Sequence, residues 1–174
     1  MKDVDQKLDE LLAYEGVRQC LMRYSRAIDR IDEALLRTAY WPEAVDNHGS
    51  YNGPAEGFIA WVIPLLGTME QTMHFLGNIL IELDGDTARS ETYFLALHRL
   101  QDGSGKLGET HVAGRYLDRM ERRGDEWRIV HRDVVYDGLA EVDSPADWAK
   151  GVFGLQYQSH RGPDDISYRL FGEK

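Results

Sequence analysis

A chain of 174 residues, 43% hydrophobic and 29% charged, has the composition of one ordinary globular domain. Its 20 basic and 30 acidic residues leave a formal net charge of -10. That charge repels nucleic-acid phosphates and anionic lipid heads unless a local basic patch overrides it, and the nearest such string, "RRGDEWR", mixes two acids with three arginines. Nucleic-acid and membrane partners are set aside. No stretch approaches the roughly 20 apolar residues of a membrane helix. The N-terminal string "MKDVDQKLDELL" has neither the basic start nor the apolar core of a signal peptide, so a cytoplasmic protein is expected. Cys20 is the single cysteine. It excludes an intrachain disulfide and a thiolate metal cage, and it reads as a buried, inert thiol.

In chain order, Val17, Cys20, Leu21, Tyr24 and Ile28 recur at three- and four-residue steps, which predicts a helix from about Asp5 to Arg30. "DEALLRTAYW" predicts a second helix stopped by Pro42. "EAVDNHGSYNGP" combines a short strand with turn signals, and "PAEGFIAWVIPLLG" predicts a third helix broken late by Pro64. From Thr72 onward the texture is β-branched and aromatic. "DGD" at 84–86, "QDGSGKLG" at 101–108 and "RRGDE" at 122–126 divide it into a meander of four antiparallel strands. Helices followed by strands define an α+β fold, with helices on one face of a curved sheet. In the tail, "SPADWAKGVF" predicts a short helix capped by Ser144, and "GLQYQSHRGPDDISYRLF" a cover for this domain or a neighbouring subunit. The division expected is 1–138 for the domain and 139–174 for the extension.

Strand alternation places Thr72, His74, Leu76 and Asn78 on one face and Phe75, Ile79 and Ile81 on the other. Thr92, Phe94, Ala96 and His98 form a second row, and Arg128, Val130, Arg132, Val134 and Tyr136 a third. Polar tips among apolar neighbours suit a ligand-lining surface, although parity leaves open which face is concave. His74 is either a satisfied core histidine or a base. Asp29 lies about 100° off the helix stripe, which reads as surface or cap, and an ideal helix separates it from Tyr24 by about 140°. Both can face one pocket only if the helix ends or distorts between them. The six histidines lack the tight spacing of a metal site. No G-x-S-x-G or dinucleotide fingerprint is present, "GSGKLG" reads as a plain turn, and "DGD" as a hairpin rather than a calcium loop.

Together the strings "YSRAID" through "AYWPEA", "YNGPAEG", "MHFLGNILIELDGDTA" and "GRYLDRMERRGDEWRIVHRDV" resemble the SnoaL-like, or nuclear transport factor 2-like, domains. The likeness runs through roughly residues 10 to 138. It is nearest the branch containing scytalone dehydratase, bile-acid dehydratase and hexachlorocyclohexane dehydrochlorinase. The resemblance implies a cone-shaped half-barrel, with helices packed on a strongly curved, mostly antiparallel sheet enclosing a pocket. It implies that Asp29 orients His74 as the catalytic base, with Tyr24 and Arg132 as further catalytic groups. Phe94, Ala96, His98 and Tyr116 fall where family members line the cavity, and Asp46 and His48 match more loosely as binding residues.

Neutral imidazole, with a reference pKa of about 6.5, accepts a proton near neutrality when a carboxylate fixes its tautomer. Tyr24 would donate to a leaving hydroxyl or an enolate oxygen, and Arg132 would supply positive charge for a carbonyl or carboxylate. The expected function is a lyase that needs no cofactor and no metal, eliminating water from a cyclic, mainly apolar small molecule. An isomerase or cyclase using the same base is the first alternative, and a non-catalytic ligand-binding or assembly module the second. The resemblance also implies a homo-oligomer, a trimer before a dimer.

Overall fold

The computed structural model describes residues 3–143 and 159–171. Helix α1 (Val4–Arg30) opens on Asp3, whose carboxylate accepts from the backbone N–H of Gln6 while the Gln6 side chain accepts from that of Asp3, a capping box that satisfies two free donors of the first turn. Helix α2 (Glu33–Arg37) follows at once, then β1 (Tyr40–His48), β2 (Tyr51–Pro54) and α3 (Ala55–Gly67). Four long strands complete the domain: β3 (Gln71–Asp84), β4 (Thr87–Gln101), β5 (Leu107–Arg123) and β6 (Glu126–Val142). A 3-10 turn (Gly162–Asp164) and the one-turn helix α4 (Ser167–Phe171) lie in the C-terminal segment.

The strands form one six-stranded sheet in the order β2-β1-β6-β5-β4-β3. Neighbouring strands are antiparallel except β1 and β6, which run parallel. The sheet is curved and unclosed. Its inner face packs Ile81, Ala88, Phe94, Tyr116, Met120 and Ile129 into one core with Val17, Leu21, Tyr24 and Ile28 of α1 and Phe58, Ile59 and Val62 of α3. The three punctuation strings of the sequence are the hairpin turns expected. In the longest of them, Asp102 accepts from the backbone N–H groups of Ser104 and Lys106 at 2.8 and 2.9 Å. An acid fills the "GSGKLG" loop where a phosphate would need free donors.

Four local expectations are corrected. The second helix stops at Arg37, and Pro42 lies inside β1, within the register shift between Tyr40 and Val45; a residue with no N–H is tolerated where the ladder is already broken. Helix α3 continues through Pro64 to Gly67. The carbonyl freed four residues earlier belongs to Ala60, which is exposed, so water can satisfy it. In β3 a bulge between Leu76 and Ile79 reverses parity. Ile79 and Ile81 therefore join the face of His74, and Asn78 is exposed. A second bulge, at Val130, puts Trp127 and Ile129 on the inner face and separates Arg128 and Val130 from the Arg132 row.

The predicted helix at "SPADWAKGVF" falls outside the described residues. Residues 159–171 return to the end of α1. Arg30 donates to Ser159, to the His160 carbonyl and to Asp165, Tyr168 donates to Asp32, and Arg26 lies 5.0 Å from the Tyr168 ring centroid.

Gly114 marks a close approach on the inner face, since a Cβ there would lie 2.4 Å from the Val135 carbonyl oxygen and 2.7 Å from the Phe94 ring. Gly114→Ala is expected to lower the unfolding free energy by about 1–3 kcal/mol in urea titration, the usual range for overpacking a filled core.

Candidate functional site

The site forms where the last turn of α1 meets the edge strand β3. Helix α1 ends in a Schellman-type cap. The N–H of Ile31 donates to the Ile28 carbonyl at 3.3 Å and that of Asp32 to Ala27 at 2.9 Å. Ile31 adopts φ 53 in the left-handed region, where glycine is usual and a β-branched residue is strained. Its side chain packs against the core, which offsets that strain.

The turn carries Asp29 against β3. One carboxylate oxygen accepts from the Thr72 hydroxyl at 3.0 Å and lies 2.8 Å from His74 Nδ1; the other accepts from the His74 backbone N–H at 2.8 Å. Asp29 is 7% exposed. It is thus no surface residue as helical spacing suggested, because the sheet edge covers it. Burial by itself would raise its pKa, but the ring and backbone bonds from His74 and the bond from Thr72 outweigh burial and hold the carboxyl below its usual range. With Nδ1 protonated and donating to Asp29, His74 keeps Nε2 as a free acceptor. A groove of about 400 Å³ opens beside the pair, lined by Ser25, Arg26, Asp29, Arg30, His74 and Leu76 among others.

His98 meets His74 edge to face, with ring centroids 5.5 Å apart. Burial lowers its pKa to about 4, with Asp29 opposing the fall and Arg161 adding to it. The ring is therefore neutral at pH 7, able to donate or accept but not to carry charge.

Tyr24 and Arg132 stand apart from the pair, in the floor of the cone. Arg132 is 0% exposed. It donates from Nε and Nη2 to the two oxygens of Asp118, both at 2.7 Å. The Tyr24 and Tyr116 rings cover the guanidinium at 4.0 and 4.1 Å from their centroids. The salt bridge that competes with a substrate-binding role is thus formed. Cross-strand pairing aligns Asp46, Arg132 and Asp118 over three adjacent strands, all buried. Burial would lower the Arg132 pKa, but Asp118 and the neighbouring phenols hold it well above its ordinary value, so it stays a cation. Burial pushes the Tyr24 phenol above its usual range.

Phe94 stacks on Tyr116 at 4.4 Å, and Phe94, Ala96 and Tyr116 are 5%, 2% and 1% exposed; they are floor more than open wall. Asp46 accepts from the Tyr40 hydroxyl and lies 3.3 Å from His48 Nδ1, while the His48 ring stacks on Phe58 at 4.8 Å. Two residues were assigned no role at the site from sequence. Thr72 fastens Asp29, and its position two residues before His74 on the same strand face was a legible signal. Asp118 neutralises Arg132, and nothing in the linear order pairs them. Burial raises the Cys20 thiol to about 11, as suits an inert side chain. Among the described residues, no group of three or more His, Cys, Asp or Glu side chains could hold a metal ion, and no helix is long and apolar enough to cross a membrane.

A curved, unclosed six-stranded sheet wrapped on helices, with an acid and an imidazole joined at its edge, defines the class as an NTF2-like α+β cone. The chain belongs to the SnoaL-like domain family, whose model matches residues 9–133. An uncharacterized protein of Mycobacterium tuberculosis is 29% identical over 119 residues, covering 67% of this chain and 80% of its own. A hexachlorocyclohexane dehydrochlorinase, LinA type 2, superposes with a TM-score of 0.73 at 19% identity, covering 84% of this chain and 99% of that one. A protein of Novosphingobium aromaticivorans, provisionally named a scytalone dehydratase, gives 0.67 at 17% identity over 83% and 94%. At such identities the structural likeness is one of fold.

Two measurements probe this arrangement. Asp118→Ala leaves Arg132 buried without its partner and is expected to cost about 3–5 kcal/mol of stability in chemical denaturation. His98 has a folded pKa depressed from 6.5 to about 4, so the unfolded chain binds more protons between these values. The stability it contributes is complete above pH 6.5 and is lost as pH falls toward 4. His98→Gln should remove that component, on the order of 3 kcal/mol, from the pH dependence of urea unfolding.

Proposed function

We propose that this protein is a cofactor-independent lyase that eliminates water from a cyclic, largely apolar small molecule, with His74 as base and Asp29 as its orienting partner. The observation that carries the reading is the 2.8 Å contact between Asp29 and His74 Nδ1, next to an open groove. The free Nε2 takes a proton from a carbon next to the leaving group. The C–H electron pair becomes the new double bond as the C–O bond breaks. The proton held on His74 passes to the departing hydroxide, so the product is the substrate less one water. The Asp29 carboxylate stabilises the imidazolium formed on the way.

Neutral His98 is suited to bind a substrate oxygen, with Asp46 and His48 on the same inner face of the sheet. Tyr24 and Arg132 have a supporting role in this reading, fixing the floor and its field, since Asp118 already answers the guanidinium. Family membership and the dehydrochlorinase and dehydratase-like neighbours support this class of chemistry. The reading includes a cytoplasmic homo-oligomer, a trimer before a dimer. Exposed Met73, Phe75, Tyr93 and Leu95 on the outer sheet face support an interface between copies, and light scattering at micromolar concentration should return a multiple of the chain mass.

The direct test is a screen of hydroxylated cyclic ketones followed by mass and conjugated absorbance. Products lacking one water are expected, and His74→Ala should lower the rate by about 10²–10⁴, the usual contribution of a general base. An unchanged product mass assigns an isomerase. Near-normal turnover in the variant removes the mechanism, and tight ligand binding indifferent to both Asp29 and His74 substitution assigns a binding module.

A further inference from the structure

At the end of α1 that carries Asp29 stands a cation with part of its hydrogen-bonding capacity unused. Arg161 reaches back over the end of α1, and its Nη2 donates to the Ile28 carbonyl at 3.4 Å. Its Nε and Nη1 are buried from solvent and have no acceptor among the described residues. The acids nearby are engaged elsewhere. Asp29, whose charge reaches Arg161, already accepts three hydrogen bonds from Thr72 and His74. Asp165 accepts from Arg30, Ser167 and the His160 N–H. Burial lowers the Arg161 pKa to about 10, Asp29 opposing the fall and Arg30 adding to it, so the group is charged at neutral pH.

A buried donor without an acceptor loses its hydration and gains nothing for it, and native proteins keep few of these. A ligand oxygen is the acceptor this place lacks. Arg161 is bonded to the carbonyl of Ile28, the residue before Asp29, so its unmet donors lie at the end of α1 that carries the proposed orienting carboxylate. Arg30 is neutralised by Asp165 and Arg26 is engaged by Ser167 and the Tyr168 and Phe171 rings, which leaves Arg161, among the described residues, as a cation with unmet donors near the Asp29 carboxylate. That balance suits a singly charged group and disfavours a doubly charged phosphate next to Asp29.

We propose that Arg161 anchors a carboxylate of the substrate, which accepts from its unpartnered nitrogens and holds the attached ring at His74. The inference rests on the lyase reading for the role of His74, but the binding of an anion here does not need turnover. It narrows the substrate class from cyclic apolar molecules to ring carboxylic acids.

The test uses the full chain at pH 7 and three ring carboxylates, cyclohexanecarboxylate, benzoate and 2-naphthoate, each against its neutral amide, with Kd measured by calorimetry. At least one acid should bind about tenfold or more tightly than its amide, the scale of one charge-assisted hydrogen bond. Arg161→Gln should abolish that preference while amide binding stays within about twofold, which also reports an intact fold. Equal affinity of acid and amide in every pair, no binding of any acid, or a preference surviving in Arg161→Gln overturns the proposal. Full activity of His74→Ala would remove the catalytic reading and leave this result standing.

Discussion

The end of one helix is bound to the open edge of the sheet by a single carboxylate, and the geometry of the site follows from that bond. Strand β3 is an edge strand, with outward N–H groups available to any passing chain. Asp29 takes one of these, the His74 N–H, and with its other oxygen holds the Thr72 hydroxyl and the imidazole. One side chain thus sets the angle of α1 on the sheet, blunts the edge, and selects the tautomer of His74. Had α1 continued another turn, the chain could not have left the sheet edge at Ile31, and the left-handed cap is the local strain that this exit requires.

The floor of the cone solves a separate problem, that of holding a guanidinium in a dry interior. Asp118 supplies a two-point clasp and the Tyr24 and Tyr116 rings cover both faces, combining charge pairing with cation–π attraction where water cannot screen either. Arg132 links α1 to β5 and β6 through these contacts, and Asp46 continues the row into β1. Such a cluster holds the curvature of three strands and one helix in a single arrangement. The mobile chemistry is left to the rim, where His74 and His98 retain partial exposure and where a depressed pKa keeps His98 neutral.

The C-terminal segment adds charge to that rim. Arg30 is neutralised from it by Asp165, Arg26 is covered by Tyr168 and Phe171, and Arg161 has no ion-pair partner among the described residues. The end of α1 therefore combines the negative charge of Asp29 with positive charge brought from more than 130 residues further along the chain. A rim of mixed sign in low dielectric discriminates between ligand charges more sharply than a neutral one.

Periodicity and turn residues were enough for the long first helix, the third helix and the four-strand meander, because helix and hairpin signals are local, whereas the one short strand expected before the third helix is a pair, β1 and β2. The match of short strings carried the cone fold and singled out Asp29 and His74 as a pair. Where the sequence reading failed, a non-local contact had reversed a local rule. Pro42 sits in a strand because the ladder is broken there, Pro64 stays helical because the freed carbonyl faces water, and one-residue bulges in β3 and β6 flip every side chain beyond them. Asp29 looked like a surface residue on its own helix and is buried only because β3 covers it. The pairing of Arg132 with Asp118 and the approach of Arg161 to Asp29 were decided by tertiary structure alone. Charges attract through space with no preferred sequence separation, and folding determined which of the 20 basic residues met which acid.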